Sequence, residues 1–194
     1  MADLRMNFPT TEEAIRELRA GDSVTVDGHI IGIRDRTQIR IFDHGQTPPM
    51  DLSGALLLHT APNVRKVGEG RYEKICIGTT TSARMVRFTE PLGAEYGVRA
   101  ICGKGGLPDE AIEPMRRLGM VYFAIVGGAA ALETTQIEEI EEVAWEELMP
   151  ECLWKFRVKD FGPLTVAIDS HGNSLYHDVQ AEAQKRLEGL FARL

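Results

Sequence analysis

The sequence has few cysteines, and none of them is placed for a disulfide framework or a close metal site. The three cysteines, Cys76, Cys102 and Cys152, stand far apart, and their number is odd. Disulfide scaffolds and thiolate metal sites instead show paired cysteines at short, regular spacings. We therefore predict no metal ligands in this chain, and we expect each thiol to be a small buried residue.

The sequence also lacks an excess of basic residues. It carries 22 Lys and Arg against 29 Asp and Glu, a net charge of −7, and its isoelectric point is near 5.3. Domains that bind nucleic acid usually present a basic face. Nucleic acid is therefore not an expected partner.

Long apolar runs are absent as well. No run approaches the roughly 20 residues that span a bilayer, and residues 1–5 lack the apolar centre of a secretory signal. A length of 194 residues, 43% of them hydrophobic and 26% charged, is typical of one folded globular domain. We expect a cytoplasmic protein that does not associate with membranes.

Short apolar segments alternate with helical segments along the chain. This alternation predicts an α/β fold in one domain, residues 1–194, with a mixed rather than purely parallel sheet. The core is expected over residues 10–178. Strands are predicted over 24–33, 55–58, 72–77, 98–102, 121–126, 154–158 and 164–168, with a turn or bulge at Gly28. Helices are predicted over 11–20, 34–42, 80–90, 108–118, 129–132 and 179–194.

Three of the predicted strands stop at glycine, and small or polar residues then open the next helix. These junctions are Gly78 into residues 79–84, Gly103 into residues 104–108, and Gly127-Gly128 into Ala129. Ligands in open α/β sheets sit at the carboxyl ends of strands, and a helix N-terminus offers free N–H groups. The pattern favours a pocket for a small anion.

Two cations lie beside these junctions, Arg84 in the first and Lys104 in the second. An arginine fork pairs with a carboxylate at two points, and a lysine provides a point charge. Arg34, next to Asp35, could supply a further clamp. By spacing alone, the glycines could equally be ordinary turns, and the arginines could be solvated surface residues or flank a helix cap. The five histidines are scattered and are expected to be structural or exposed.

Taken in order, these segments resemble the β subunit, or C-terminal domain, of class I iron–sulfur fumarases and the related L-tartrate dehydratase. The resemblance extends from about Leu18 to about Tyr176. The segments that carry it include Leu18-Arg19-Ala20-Gly21-Asp22, Gly78-Thr79-Thr80-Thr81-Ser82-Ala83-Arg84, Gly103-Lys104-Gly105-Gly106, Val158-Lys159-Asp160-Phe161-Gly162-Pro163 and Ile168-Asp169-Ser170-His171-Gly172-Asn173-Ser174.

The resemblance implies a swivelling β/α domain, with helices flanking a mixed central sheet, similar to the mobile domain of aconitases. It implies a hydro-lyase that adds or removes water across a double bond of a small dicarboxylate. It further implies a [4Fe–4S] cluster ligated by an α subunit rather than by this chain, and a heterotetramer. A homodimer is the alternative for the isolated chain.

Matched motif by motif, the resemblance assigns the catalytic threonine to Thr80. Arg34, Arg84 and Lys104 fall on positions that bind substrate carboxylates. The remaining substrate-binding positions implied by the match are Thr81, Gly103 and Gly105.

The sequence departs from the family pattern at Gln38, where the family usually has histidine, and at Thr79, where it usually has proline. These departures bear on substrate preference more than on reaction class. Hydration of fumarate to L-malate is the first hypothesis, and dehydration of L(+)-tartrate to oxaloacetate is a close alternative. A non-catalytic anion-binding or assembly module is the alternative from another class. A phosphate-binding loop is excluded because Gly103-Lys104-Gly105-Gly106 lacks its spacing.

Overall fold

Residues 3–127 and 130–191 are described in the computed structural model, and their strands and helices alternate along most of the chain. The strands are β1 Asp3–Phe8, β2 Ser23–Ile33, β3 Leu56–His59, β4 Asn63–Gly68, β5 Arg71–Cys76, β6 Ala100–Gly103, β7 Val121–Ala124, β8 Ile137–Ala144 and β9 Leu153–Ile168. The α-helices are α1 Glu12–Arg16, α2 Asp35–Phe42, α3 Thr89–Tyr96, α4 Ile112–Leu118, α5 Ala130–Gln136 and α6 Leu175–Phe191.

Seven strands form one mixed sheet in the order β1-β2-β3-β6-β7-β9-β8. The neighbours from β1 to β7 are parallel, whereas β9 runs antiparallel to β7, β8 and β2. Because β2 pairs with both β3 and β9, the strands β2, β3, β6, β7 and β9 close into a ring. Strands β4 and β5 form a separate hairpin. The predicted single α/β domain with a mixed sheet flanked by helices is confirmed.

Alternate residues of the ring strands contribute to two separate hydrophobic cores. Leu56 and Leu58 of β3 belong to one cluster with Phe156 of β9, while Leu57 belongs to the other with Met85 and Leu92. Side chains two residues apart on a strand share a face, so both faces of the ring strands are covered. Each large apolar side chain buried in this way contributes about 1.5–3 kcal/mol.

Local signals in the sequence explain several boundaries. Thr11 caps α1 by accepting a hydrogen bond from the backbone N–H of Ala14 at 3.4 Å. The bulge predicted at Gly28 is confirmed, since the β2–β9 register shifts there. Gly28 has φ +99°, and a Cβ at this position would lie 2.3 Å from the carbonyl oxygen of Phe8. Glycine is therefore required where β2 passes β1.

Several predicted boundaries are wrong. The helix predicted over 11–20 ends at Arg16. The segment predicted as a helix over 80–90 begins as extended chain, continues as a 3₁₀ helix at Ala83–Phe88 and becomes α-helical only at Thr89. The C-terminal helix begins at Leu175, earlier than predicted, and its predicted last residues, 192–194, lie outside the described residues.

The sheet contains strands that the pattern did not indicate. β1 precedes the expected core and pairs with β2 along its whole length. β8, rich in glutamate, pairs with β9 through an edge that leaves most of these carboxylates exposed. The two strands predicted over 154–158 and 164–168 are one long strand, β9, with Asp160 at φ +53° where it bends. None of the helices within residues 3–127 and 130–191 is long and apolar enough to cross a membrane.

We predict that Phe123→Ala lowers the free energy of unfolding by about 3–5 kcal/mol. Phe123 is fully buried in β7, and its ring meets the ring of Phe8 edge-on at a centroid distance of 6.4 Å. Urea denaturation followed by circular dichroism measures the loss. As a control, Val67→Ala on the exposed hairpin should change stability by less than about 0.5 kcal/mol. Equal losses in the two variants would contradict this description of the core.

Candidate active site

The candidate site lies where three parallel neighbours, β2, β3 and β6, reach their carboxyl ends. Arg34 follows β2, Thr60 follows β3, and Lys104 follows β6. A fourth segment, residues 78–82, returns from the β4–β5 hairpin and crosses these ends. Strand ends of this kind are the usual ligand position in α/β sheets.

The returning segment is held by backbone hydrogen bonds on both sides. The N–H of Thr80 donates to the carbonyl of His59 at 2.8 Å, and the N–H of Ser82 donates to the carbonyl of Lys104 at 3.0 Å. The N–H of Lys104 donates in turn to the carbonyl of Thr80 at 3.3 Å. The prediction that a helix N-terminus at Thr80 offers free amides to an anion is therefore wrong. The amides of Thr80, Ser82 and Lys104 are therefore already bonded within the chain and do not serve an anion.

Arg84 is fixed in place by Asp35 of α2. Its Nε and Nη2 donate to the two carboxylate oxygens of Asp35 at 2.9 and 2.7 Å. Nη1 donates to the carbonyl of Thr81 at 2.9 Å, and Nη2 also donates to Oγ1 of Thr80 at 3.1 Å. Four of the five N–H bonds of this guanidinium are therefore in use. Arg84 is directed at the Thr80 hydroxyl and keeps one N–H for a ligand.

Arg34 contacts the same carboxylate through Nε alone. Its Nε lies 3.3 Å from Oδ2 of Asp35 and 3.8 Å from Oε1 of Glu151. Within the described part of the chain, Nη1 and Nη2 form no hydrogen bond. Burial alone would raise the pKa of Asp35, but hydrogen bonds and charge from Arg84 and Arg34 outweigh it, so the pKa is lowered. Asp35 thus stays ionised and holds both arginines.

Lys104 lies on the other side of the returning segment, paired with Thr81 in a short parallel bridge. Its side chain is half-buried and runs past Gly127, where a Cβ would lie 2.8 Å from Cδ of the lysine. Among residues 3–127 and 130–191, no side chain or carbonyl forms a hydrogen bond or ion pair with Nζ. The third predicted junction continues into Gly128 and Ala129, which lie outside the described residues.

The predicted substrate-binding glycines hold the turn tightly against the returning segment. A Cβ on Gly103 would lie 2.0 Å from Oγ of Ser82, a distance that no side chain can occupy. Gly105 has φ +75°, and a Cβ there would lie 3.2 Å from Cγ2 of Thr81. The structure therefore brings Thr80, Thr81, Arg34, Arg84, Lys104 and the two glycines together at one place. Their roles toward a substrate stay predictions.

Gln38, which stands where the resemblance leads us to expect histidine, is completely buried on α2. Its Nε2 donates to Sδ of Met85 at 3.0 Å, next to the Asp35–Arg84 pair, and its Oε1 has no partner among the described residues. Gln38 therefore packs behind the arginines instead of lining the open surface.

Sequence reasoning missed a second polar group in the site, centred on His59. This side chain is buried, and its Nδ1 lies 2.9 Å from Oγ of Ser82. Burial lowers the pKa of His59 to about 3, with Asp35 raising it and Arg84 lowering it further by smaller amounts. The ring is thus neutral at physiological pH. Its distance in sequence from the other site residues concealed this role, although Ser82 lies within the recognised motif.

Two of the three cysteines are too deeply buried to ligate an iron–sulfur cluster. Burial raises the pKa of the Cys102 thiol well above its usual value and that of Cys152 to about 11. Cys76 on β5 is partly buried, and all three cysteines are free. Metal ligation needs accessible thiolates. In residues 3–127 and 130–191, no group of three or more His, Cys, Asp or Glu side chains could hold a metal ion.

Comparison with known proteins places this chain in a family. Residues 1–179 match the sequence profile described as "Fumarase C-terminus". The L(+)-tartrate dehydratase subunit beta of Escherichia coli strain K12 is 40% identical over 171 residues, which are 88% of this chain and 85% of the relative. The "Putative L(+)-tartrate dehydratase subunit beta" of Methanocaldococcus jannaschii is 36% identical, over 93% of this chain and 94% of the relative.

A longer relative matches through one part of its length. The "Putative fumarate hydratase class I" of Geobacillus stearothermophilus is 37% identical over 185 residues, which are 95% of this chain and 35% of the relative. The chain belongs to the fumarase C-terminal domain family, and the resemblance found in the sequence is confirmed. Its relatives are named as hydratases or as dehydratase β subunits.

A buried carboxyl group on α5, Glu133, provides a test of the surroundings of the site. Glu133 is 5% exposed, it lies near the buried Cys102, and its Oε1 has no partner among the described residues. Burial raises its pKa from 4.5 to about 7. The folded chain therefore retains a proton that the unfolded chain releases between these pH values, and stability is lost as the pH rises through this window.

We predict that Glu133→Gln removes this loss. As the pH rises from 4.5 to 8, the free energy of unfolding of the wild type should fall by about 1–3 kcal/mol relative to that of the variant. Urea denaturation at the two pH values measures the difference. The exposed Glu110→Gln serves as the matched control and should show no such difference. If the free energy of unfolding of Glu133→Gln changed with pH as that of the wild type does, the pKa of Glu133 would not be raised by burial.

Proposed function

We propose that the chain is the β subunit of a two-subunit hydro-lyase that reversibly hydrates fumarate to L-malate. The observation that carries this proposal is the arrangement of three cations at the same strand ends. Arg84 contacts the Thr80 hydroxyl, Arg34 shares Asp35 with Arg84, and Lys104 lies on the other side of the segment that carries Thr80. Family membership supports the reaction class. Three cations face two carboxylates, Asp35 and Glu151, so the site keeps positive charge for an anionic substrate.

The two available cationic groups suit the two ends of a short dicarboxylate. The outer edge of Arg34 carries Nη1 and Nη2, which form no hydrogen bond within the described residues and can receive a carboxylate at two points. Nζ of Lys104 can bind the other carboxylate as a point charge. Arg84 has one remaining N–H for the substrate. Binding at two ends orients the double bond, which accounts for a large part of the rate of such reactions.

Thr80 is the group proposed to handle the proton on the carbon next to a carboxylate. A threonine hydroxyl is a very weak acid, so it needs a cationic neighbour to act in proton transfer. Nη2 of Arg84 donates to Oγ1 of Thr80 at 3.1 Å and favours negative charge on that oxygen. Because Asp35 orients this guanidinium, the donor is already in position before a substrate binds. A carboxylate of the partner subunit would serve as the second proton carrier.

The proposal includes a partner and a cofactor outside this chain. Relatives are named subunit beta, which supports an α subunit. The cysteines described above do not fit a cluster, so we propose that the α subunit ligates a [4Fe–4S] cluster. The proposed assembly is a cytoplasmic heterotetramer, and the isolated β chain is expected to form at most a homodimer without activity.

Dehydration of L(+)-tartrate to oxaloacetate is the second candidate. The observation in its favour is the match to separate β subunits named as tartrate dehydratases, of which this chain covers 85% and 94%. The fumarate hydratase relative is instead a longer chain. The buried Gln38 beside Arg84 is the structural difference at the site that bears on this choice.

Turnover by the complex tests the proposal. The two subunits are co-expressed, purified without oxygen and reconstituted with iron and sulfide, and their activity is assayed with fumarate, L-malate and L(+)-tartrate. We predict faster turnover of fumarate and malate than of tartrate. The reverse order would select the tartrate dehydratase, and no turnover of any of the three by an assembled, cluster-loaded complex would refute both.

We further predict that Thr80→Val lowers kcat by about 10²–10⁴-fold because it removes only the hydroxyl, while Thr80→Ser retains much more activity.

Lys104→Met should raise KM by at least about 10-fold because a carboxylate of the substrate loses its cation. Matched surface controls are Thr165→Val on β9 and Lys185→Met on α6, both exposed. Full activity of Thr80→Val and Lys104→Met in intact complexes would instead support a non-catalytic anion-binding module.

A further inference from the structure

A layer of buried polar side chains lies directly beneath the candidate active site. His59 ends β3, Ser82 lies in the returning segment, and Tyr122 belongs to β7. Oη of Tyr122 donates to Oγ of Ser82 at 3.0 Å, and the same Oγ lies 2.9 Å from Nδ1 of His59. The three residues are 1%, 0% and 0% exposed, respectively. None of them can touch a substrate at the surface of the site.

Nδ1 is the ring nitrogen through which His59 joins this group. With the Tyr122 hydroxyl donating to Oγ of Ser82, the Ser82 hydroxyl can donate to Nδ1, or Nδ1–H can donate to Oγ. Nε2 has no partner among the described residues. Tyr122, Ser82 and His59 therefore form one continuous chain of hydrogen bonds that ends at Nδ1.

This layer is connected to the residues proposed to act on the substrate. Ser82 lies two residues after Thr80 and two before Arg84, and its backbone N–H is bonded to the carbonyl of Lys104. The carbonyl of His59 accepts the N–H of Thr80. Ser82 is fully buried, and its Oγ lies so close to Gly103 that a Cβ there would be 2.0 Å away. A change in the position of Ser82 therefore displaces Thr80.

A buried polar layer at this position needs an explanation, because apolar side chains would avoid the cost of desolvation. Removing one partner from such a group leaves an unsatisfied buried donor or acceptor, at a cost of about 1–3 kcal/mol. Hydrogen-bonded networks of this kind favour one arrangement over its alternatives. Here the selected arrangement is the one that places Oγ1 of Thr80 against Nη2 of Arg84.

We propose that His59, Ser82 and Tyr122 are positioning residues that hold Thr80 in its reactive place through the Ser82 hydroxyl. This inference rests on the proposed hydro-lyase function. It assigns no contact with the substrate to these three residues. It makes Nδ1 of His59, and not Nε2, the atom on which activity depends.

Two substitutions of His59 distinguish the roles of its Nδ1 and Nε2 atoms. In His59→Asn, the side-chain amide can occupy the place of Nδ1 and still form a hydrogen bond with Ser82. In His59→Gln, the amide lies at the place of Nε2, and Ser82 loses this partner. We expect His59→Asn to keep kcat within about 3-fold, and His59→Gln to lower it about 10–100-fold, the loss typical of a misplaced catalytic group.

A second experiment tests whether the loss of activity depends on Thr80. Tyr122→Phe removes only the phenol oxygen and should lower kcat about 10-fold or more with little change in KM. In a Thr80→Val background, the same substitution should have no further effect, because the group that it positions is already absent. An equal loss in both backgrounds would overturn the proposal, as would losses that only follow the fraction of folded, assembled complex.

A measurement without turnover checks the network. Nitrogen NMR of the labelled β chain should show a neutral His59 ring in one tautomer from pH 6 to pH 8, and Tyr122→Phe should change this spectrum. A charged ring at pH 6, or a His59 spectrum that Tyr122→Phe leaves unchanged, would overturn the network. Retained activity in His59→Gln with loss in His59→Asn would do the same. Absence of turnover by the wild-type complex with all substrates would instead refute the proposed function, and the NMR result would still decide whether the network exists.

Discussion

Pairing of β2 with both β3 and β9 is the constraint on which the rest of the structure depends. It closes five strands into a ring, and closure requires β9 to bend where it passes β2. Asp27 stabilises that bend by accepting from the N–H of Asp160 at 2.8 Å and from Lys159 at 3.2 Å, with Arg5 as a third partner. The Asp160 N–H is the main cause that lowers the pKa of Asp27 to about 2. This carboxylate therefore remains charged over the physiological range.

Ring closure also explains the position of the candidate site. With β2, β3 and β6 in parallel order, Arg34, His59 and Lys104 reach the same edge of the sheet from distant parts of the chain. The segment carrying Thr80 then crosses this edge and is bonded to β3 on one side and to Lys104 on the other. Such a segment has little freedom to move, so its side chains are held in one orientation for a ligand.

The three cations of the site have different partners and therefore different proposed roles. Asp35 accepts two hydrogen bonds from Arg84 and one from Arg34, and it thereby directs Arg84 toward Thr80. The outer edge of Arg34 and the ammonium group of Lys104 remain for carboxylates. Neutral His59 beneath the arginines adds no further positive charge, because burial keeps it unprotonated.

The sequence by itself determined the fold class, the family and the set of candidate residues. The spacing of apolar residues, the glycines that end predicted strands and the short motifs are all local features. The order of these motifs along the chain identifies the family. The sequence misplaced the helix at Thr80 because its polar residues resemble a helix start, whereas backbone pairing with His59 and Lys104 makes the segment extended. It also missed β8, since an edge strand rich in glutamate shows no simple apolar alternation. Only the tertiary structure decided that Asp35 orients Arg84 and that His59, Ser82 and Tyr122 share one buried network, because these contacts join residues more than 20 positions apart and depend on how the ring of strands closes.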